Sequence, residues 1–479
     1  MSTAVLTGTA RTAATRRSWL TLVAMTGSLS MILLDQTVVS VALPTMAREL
    51  PLSASGQQWV VNAYVLAMAT AVALGGKLGS KLGPVTTFRI GVSVFFVASA
   101  LCGLAPNASW MIGARIVQGV GAALMMPVSA TIVMEAFPTE FRGRAMGVYV
   151  GISQIFLALG PLLGGVCTEW GSWRLVFWLN VPVGALALVL VQITRPANHA
   201  QRTLRVSPWH AVLLTAGIGA TVYALQQSGS WGWGADRTWI VLASGLVVLG
   251  GFVALQLRSA DPLVQVRLLA RRGFLADVLV LFGTQFSMLA MTLYGALYSQ
   301  NLLGYSPIVA GCSALAMIIP LMAGAQIAGR WYDAAGPRRP VLTGLALTTV
   351  GTLLWAANLP QIEYWSKVPG MALAGLGLGL VFSPVNTDAL SRVRPKDRPQ
   401  ASGMVQTVRQ LGGTLGVAVI GALILGHEHA ERTLAAKISD TAHAMSLGFA
   451  VAAGAFLAAL IAAAFLLPRG NASSAAAED

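Results

Sequence analysis

The stretch Gly76-Lys77-Leu78-Gly79-Ser80-Lys81-Leu82-Gly83 returns later as Gly329-Arg330-Trp331-Tyr332-Asp333-Ala334-Ala335-Gly336. A second set repeats with it: Gly119, Gly121, Gly147, Gln154, Gly160 and Gly165 match Gly375, Gly377, Gly403, Gln410, Gly416 and Gly421. The offsets nearly agree, at 253 residues from Gly76 to Gly329 and 256 from Gly119 to Gly375. Two similar units with an insertion between them are therefore expected, and such repeats characterise transporters that carry a midplane site between two bundles.

Composition says where those units sit. Of 479 residues, 56% are hydrophobic and only 10% charged, with a mean hydropathy of +0.70. A soluble domain carries about 25% charged residues, so the apolar surface of this chain belongs in lipid. The 51 glycines suit helices that pack closely there. A net charge of +14 would suggest nucleic acid in a soluble protein. Here the basic residues fall in short segments between apolar stretches, which is the pattern that orients membrane helices. Cys102, Cys167 and Cys312 lie in apolar stretches without metal-ligand spacing and read as packing residues.

A crossing needs about 20 apolar residues. On that rule about fourteen spans are expected: 19–44, 57–79, 86–105, 109–134, 144–167 and 172–194, then 209–227 and 238–257, then 274–299, 307–331, 339–358, 368–390, 400–426 and 444–467. The first apolar stretch is too long for a signal-peptide core and should remain as a span. With both ends in the cytoplasm, Lys and Arg concentrate on that side; only Arg48, Arg174, Arg237, Lys367, Arg432 and Lys437 fall outside. The resulting organisation is a cytoplasmic tail (1–18), a six-helix bundle (19–194), a linker with two extra helices (195–273), a second six-helix bundle (274–467) and a polar tail (468–479). The outside segment 427–443 carries His427, His429 and His443; its spacing is weak evidence for a metal, and a solvated helical hairpin is the expectation.

Four segments carry a family resemblance: Leu34-Asp35-Gln36-Thr37-Val38-Val39-Ser40-Val41-Ala42-Leu43-Pro44; Arg115-Ile116-Val117-Gln118-Gly119-Val120-Gly121; Gly160-Pro161-Leu162-Leu163-Gly164-Gly165; and Trp173-Arg174 with Asn180-Val181-Pro182-Val183-Gly184. Together they resemble the fourteen-span drug:proton antiporter branch of the major facilitator superfamily. The resemblance covers nearly the whole chain. It implies an all-α fold of two pseudo-symmetric six-helix bundles plus two inserted helices. It implies multidrug-type efflux of lipophilic compounds (drugs, antibiotics, dyes) against proton entry, in the inner cell membrane. No cofactor beyond the proton gradient, no nucleic acid and no enzymatic chemistry are expected, and a monomer is. A dedicated exporter of one metabolite or self-made antibiotic is the alternative.

Asp35 lies deep in the first span, where a charge costs about 3 kcal/mol or more unless partnered. Desolvation favours the neutral form of a carboxyl, which suits a proton carrier. Arg115, at matching depth in the fourth span, is its expected partner, and the family assigns both positions to proton coupling. Asp35 could instead only hold helices together. The gate residues expected from the resemblance are Gly76, Ser80, Gly83, Gly160, Pro161, Gly164, Gly165, Asp333, Gly336 and Arg338. Ser80 stands where the family pattern places Asp, and Pro84 and Val85 where it places basic residues, so the first-half latch should be weak or rebuilt. Cavity candidates from spans 1, 2, 4, 5, 9, 12 and 13 are Asn62, Gln118, Gln154, Gln285, Met288, Met291, Tyr294, Asn386, Gln406, Arg409 and Gln410. Arg409 either pairs with an acid, Asp277 and Asp388 being in reach, or faces the cavity. One deep carboxylate suits neutral or singly charged lipophilic substrates.

Overall fold

A computed structural model describes residues 15–52, 54–201, 203–204, 207–259, 262–425 and 434–468. They form long helices joined by tight turns: α1 (Arg16–Glu49), α2 (Ala54–Leu82), α3 (Pro84–Gly103), α4 (Ala108–Ala136), α5 (Arg142–Trp170), α6 (Arg174–Trp178) and α7 (Asn180–Thr194). The inserted pair is α8 (Pro208–Trp231) and α9 (Asp236–Arg258). The second half holds α10 (Arg272–Asn301), α11 (Pro307–Ser313), α12 (Leu315–Ala335), α13 (Arg338–Asn358), α14 (Val368–Ser391), α15 (Arg398–Leu425) and α16 (Leu434–Leu466). Twelve helical segments among the described residues are long and apolar enough to cross a membrane, and Trp209–Leu225 is a shorter apolar helix.

Local chemistry sets the turns. The Asn107 side chain accepts a hydrogen bond from Trp110 N (2.9 Å) and starts α4. Pro84 begins α3 behind Gly83, whose φ of 90° lies in the region that favours glycine. Gly336, at φ 74°, closes α12 in the equivalent place. The chain is kinked where single spans were expected: α6 and α7 divide 172–194, and α11 and α12 divide 307–331. Residues from Leu434 are already helical, which shortens the expected outer loop 427–443 from its far side. His427 and His429 lie outside the described residues, while His443 Nδ1 meets Ser439 O at 2.8 Å within α16.

Most pairs of the repeat make matching contacts. Gly119 lies against the Tyr64 carbonyl of α2, and Gly375 against the Met317 carbonyl of α12. Gly121 abuts Gly91 and Phe95 of α3, as Gly377 abuts Gly344 and Thr348 of α13. Gly160 meets Thr37 and Val38 of α1, and Gly416 meets Phe286 of α10. Across the two halves, Gly147 of α5 packs on Ala325 of α12, and Gly403 of α15 on Gly76 of α2. A Cβ at any of the within-half positions would collide with backbone or side-chain atoms, so the small residues set how closely the helices approach.

The inserted pair lies over one seam. Its α8 packs on α2 and on α15, with Trp59 and Tyr223 stacked at 6.0 Å. Its α9 points outward, with Ile240 66% and Val247 73% exposed; such apolar faces belong against lipid.

Candidate functional site

The deepest charges in the first bundle meet as expected. Arg115 Nη1 of α4 donates to Asp35 Oδ2 of α1 at 2.5 Å, and both side chains are buried. Gln118 completes the site: its Nε2 donates to Asp35 Oδ1 (3.0 Å) and its Oε1 accepts from Arg115 Nη1 (2.8 Å). Arg115 Nε also donates to Val60 O of α2 (3.0 Å), and the guanidinium lies 4.2 Å from the Tyr64 ring centroid. Three helices thus converge on one neutral ion pair. Protonating Asp35 would dissolve that neutrality and leave Arg115 without its counter-charge, a change that helices α1, α2 and α4 would all feel. Gln118 was grouped with the cavity residues by type; its geometry places it in the ion-pair site. The signal was the i, i+3 spacing from Arg115, which puts both side chains on one helix face.

The second bundle holds Arg409 on α15. Its Nε and Nη2 donate to Gln285 Oε1 of α10 at 3.3 and 3.0 Å, and its Nη1 to Gln406 Oε1 at 3.3 Å. The guanidinium lies 5.1 Å from the Phe382 ring of α14. Asp277 and Asp388, the acids weighed as its partners, are instead taken by Arg392: Nη2 reaches Asp388 Oδ2 at 2.5 Å and Nε reaches Asp277 Oδ2 at 3.4 Å. Arg392 caps the C-terminal end of α14 four residues after Asp388, and that local pairing wins over a reach between spans.

The other cavity candidates divide. Gln285 and Gln406 belong to Arg409, as above. Gln154 is buried with no hydrogen-bond partner for Oε1 among the described residues. Asn62 and Gln410 are half-buried. Met288 and Met291 are buried, and Thr352 Oγ1 donates to Met291 Sδ at 3.8 Å. Asn386 donates to Phe382 O of its own helix (2.7 Å), whereas Tyr294 of α10 donates to Val417 O of α15 (3.1 Å) above Gly421 and ties two helices together.

The gate is asymmetric. At the basic end of the molecule, Asp333 of α12 crosses to the first bundle and accepts hydrogen bonds from Gly143 N (2.9 Å) and Arg144 N (3.2 Å), the first turn of α5. A carboxylate there meets both free amides and the positive end of the helix dipole. The first copy has no such clamp. Ser80 is fully buried and its hydroxyl finds no partner among the described residues. Contacts from the linker surround it instead: Gln201 N donates to Ser80 O (2.9 Å), Gln201 Nε2 to Lys396 O (2.6 Å), and Lys77 Nζ to Pro262 O (2.7 Å). Asn198 Oδ1 accepts from Val85 N (2.9 Å) at the start of α3. Gly76 lies against Pro399 O of α15 and seals the same end. Arg338, expected in the gate, instead donates to Leu467 O (2.6 Å) and Ala464 O (2.9 Å) at the end of α16. Gly160 presses on α1, Gly165 on Ile308 of α11, and the Gly164 carbonyl accepts from Thr168 Oγ1 at 2.7 Å; the helix runs unbroken through Pro161.

At the opposite end Glu49 accepts from Arg174 Nη1 (2.6 Å) and Trp173 Nε1 (2.9 Å), bonds that hold its carboxyl below the usual carboxylate range. Burial pushes Lys367 down to about 8; its Nζ donates to Glu363 O and lies 4.9 Å from the Tyr298 ring.

Two pseudo-symmetric helical bundles, with a buried ion pair in one and, in the other, a half-buried guanidinium without an acid partner among the described residues, define a secondary transporter of the alternating-access class. The chain belongs to the Major Facilitator Superfamily, whose model matches residues 25–417. It is similar to the "Puromycin resistance protein pur8" of Streptomyces alboniger, at 32% identity over 92% of this chain and 90% of that one. It is also 32% identical to the "Tetracenomycin C resistance and export protein" of Streptomyces glaucescens, over 85% of this chain and 76% of that one. Among solved structures, the proton:xylose symporter XylE overlays with a TM-score of 0.64 at 14% identity, covering 95% of this chain and 96% of that one.

Proposed function

We propose that the chain is a proton-coupled antiporter that exports lipophilic small molecules, antibiotics among them, across the cell membrane by alternating access. The carrying observation is the buried Asp35–Arg115–Gln118 site, a neutral ion pair in a membrane bundle that one proton would unbalance. Relatives at about the same identity carry names for resistance to or export of puromycin, tetracenomycin C and cephamycin, and these support the export direction. The reading takes α5 and α8 as two further spans beyond the twelve, giving fourteen with both termini and the basic end in the cytoplasm. Arg142 and Arg144 at the start of α5 fit that orientation. On this reading the closed basic end makes the conformation described here one sealed toward the cytoplasm, and a monomer suffices.

One proton entering through 100 mV supplies about 2.3 kcal/mol and each pH unit about 1.4. A neutral substrate could then be held at a gradient of several hundred-fold. Reconstituted protein should accumulate lipophilic antibiotics in vesicles with an acidic lumen, and no dependence on the gradient would overturn the coupling. Several relatives are named for a single compound, such as the "Probable actinorhodin transporter" of Streptomyces coelicolor, which favours a dedicated exporter as the second reading. A panel of chemically unrelated antibiotics separates the two: export of one compound alone selects the dedicated form.

A further inference from the structure

We infer that Arg409 is the recognition site for a negatively charged group, and that the chain's preferred substrates are lipophilic aromatic monoanions. The inference rests on the export reading above and names the substrate class of that same site.

Asp35 is matched to Arg115, Asp277 and Asp388 share Arg392, and Asp333 caps α5. No carboxylate lies within ion-pair distance of Arg409 among the described residues. The titratable group whose charge acts on it is Tyr149 of the first bundle, whose hydroxyl is engaged with Ser129 Oγ at 2.7 Å. Arg409 therefore stands as a half-buried, permanent cation among two amides and the Phe382 ring.

Its hydrogen-bond ledger is incomplete. A guanidinium carries five N–H donors. Three hydrogen bonds to Gln285 and Gln406 are made, so one N–H on Nη1 and one on Nη2 remain without a partner among the described residues. Two parallel N–H groups suit a carboxylate or an acidic phenolate, which guanidinium binds bidentately. Gln285 and Gln406 fix the plane of the fork in advance, so little ordering is left for the ligand to impose. The Phe382 ring beside it favours an aromatic framework on the acid. A half-buried cation whose counter-charge arrives with the ligand is relieved when the site fills, which is the behaviour wanted of a transport site.

The test uses the full-length protein in detergent and two fluorescent probes, pyrenebutyric acid and its primary amide, read by quenching of the protein's tryptophans. Wild-type protein should bind the acid about 10- to 100-fold more tightly than the amide, the range of a charge-assisted contact. R409Q should remove that preference by weakening the acid far more than the amide, and R409K should keep part of it. Equal affinity of wild type for both probes overturns the inference. So does an R409Q protein that weakens both alike, since that marks a packing role. If R409Q does not fold, the wild-type comparison decides alone. Binding of neither probe counts against the lipophile-export reading itself and takes the inference with it; binding of the amide alone refutes only the anion.

Discussion

Replacing Asp333 with Asn should open the basic end of the protein. Its carboxylate is 8% exposed and accepts from two consecutive amides at the first turn of α5, at 2.9 and 3.2 Å. Hydrogen bonds to a charged acceptor contribute about 1.5–3 kcal/mol each, and the helix end adds about 0.3–1 kcal/mol. Asn keeps one acceptor oxygen but loses the charge, so D333N should cost the closed conformation about 2–4 kcal/mol. That shifts the closed-to-open ratio by about 30- to 700-fold. The assay is a distance measurement between spin labels at Glu140 and Arg339, exposed positions that flank the clamp, after the three cysteines have been replaced. The parent should give one short distance and D333N a large population at longer ones. Because the first copy lacks the carboxylate, S80D in the D333N background should restore part of the short population by capping the start of α15. An unchanged distance distribution in D333N would refute the clamp.

Other consequences follow from the same contacts. D35N and R115Q should each destabilise the protein by about 3–5 kcal/mol, since each leaves a buried group without its partner; the double variant should be markedly less than additive in thermal unfolding, and additivity would separate the two residues. Lys367, held down to about 8 by burial, is charged below that value in the folded and unfolded states alike. Between pH 8 and the ordinary lysine range the unfolded chain binds more protons, so stability should rise with pH there, and K367M should abolish the rise. Glu49 is depressed, so its pair with Arg174 is intact at neutral pH and is lost only as pH falls through its lowered value; R174Q should shift the melting point little between pH 6 and 8. An anion leaving as a proton enters moves two charges, so efflux of an acid should gain about 4.6 kcal/mol per 100 mV against about 2.3 for its neutral amide. Equal voltage slopes would exclude an anionic substrate.

The glycine repeat was legible because it is a packing rule: most members lie where a neighbouring backbone or side chain leaves little room for a Cβ. Asp35 and Arg115 were legible for an energetic reason, as two isolated charges at equal depth have few other partners. Arg392 shows the limit. Its acids were visible, yet the i, i+4 contact with Asp388 outweighed the long-range pairing considered for Arg409. The loss of the carboxylate at Ser80 could be read from the sequence, but not what surrounds it, because Asn198, Gln201 and Pro262 reach the latch only through tertiary placement of the linker. Arg338 looked like a gate residue by its motif position and turned out to cap α16, a contact 126 to 129 residues away in the chain.

Coupling as proposed means that proton entry at Asp35 drives export. Proteoliposomes containing the protein, with an acidic lumen and a lipophilic antibiotic outside, test it directly when uptake and luminal alkalinisation are recorded together. Wild-type protein should accumulate the compound and raise luminal pH in step, both stopping on addition of a protonophore, while D35N should do neither yet still bind the compound. Accumulation by D35N at the wild-type rate, or uptake by wild type without proton movement, would contradict it.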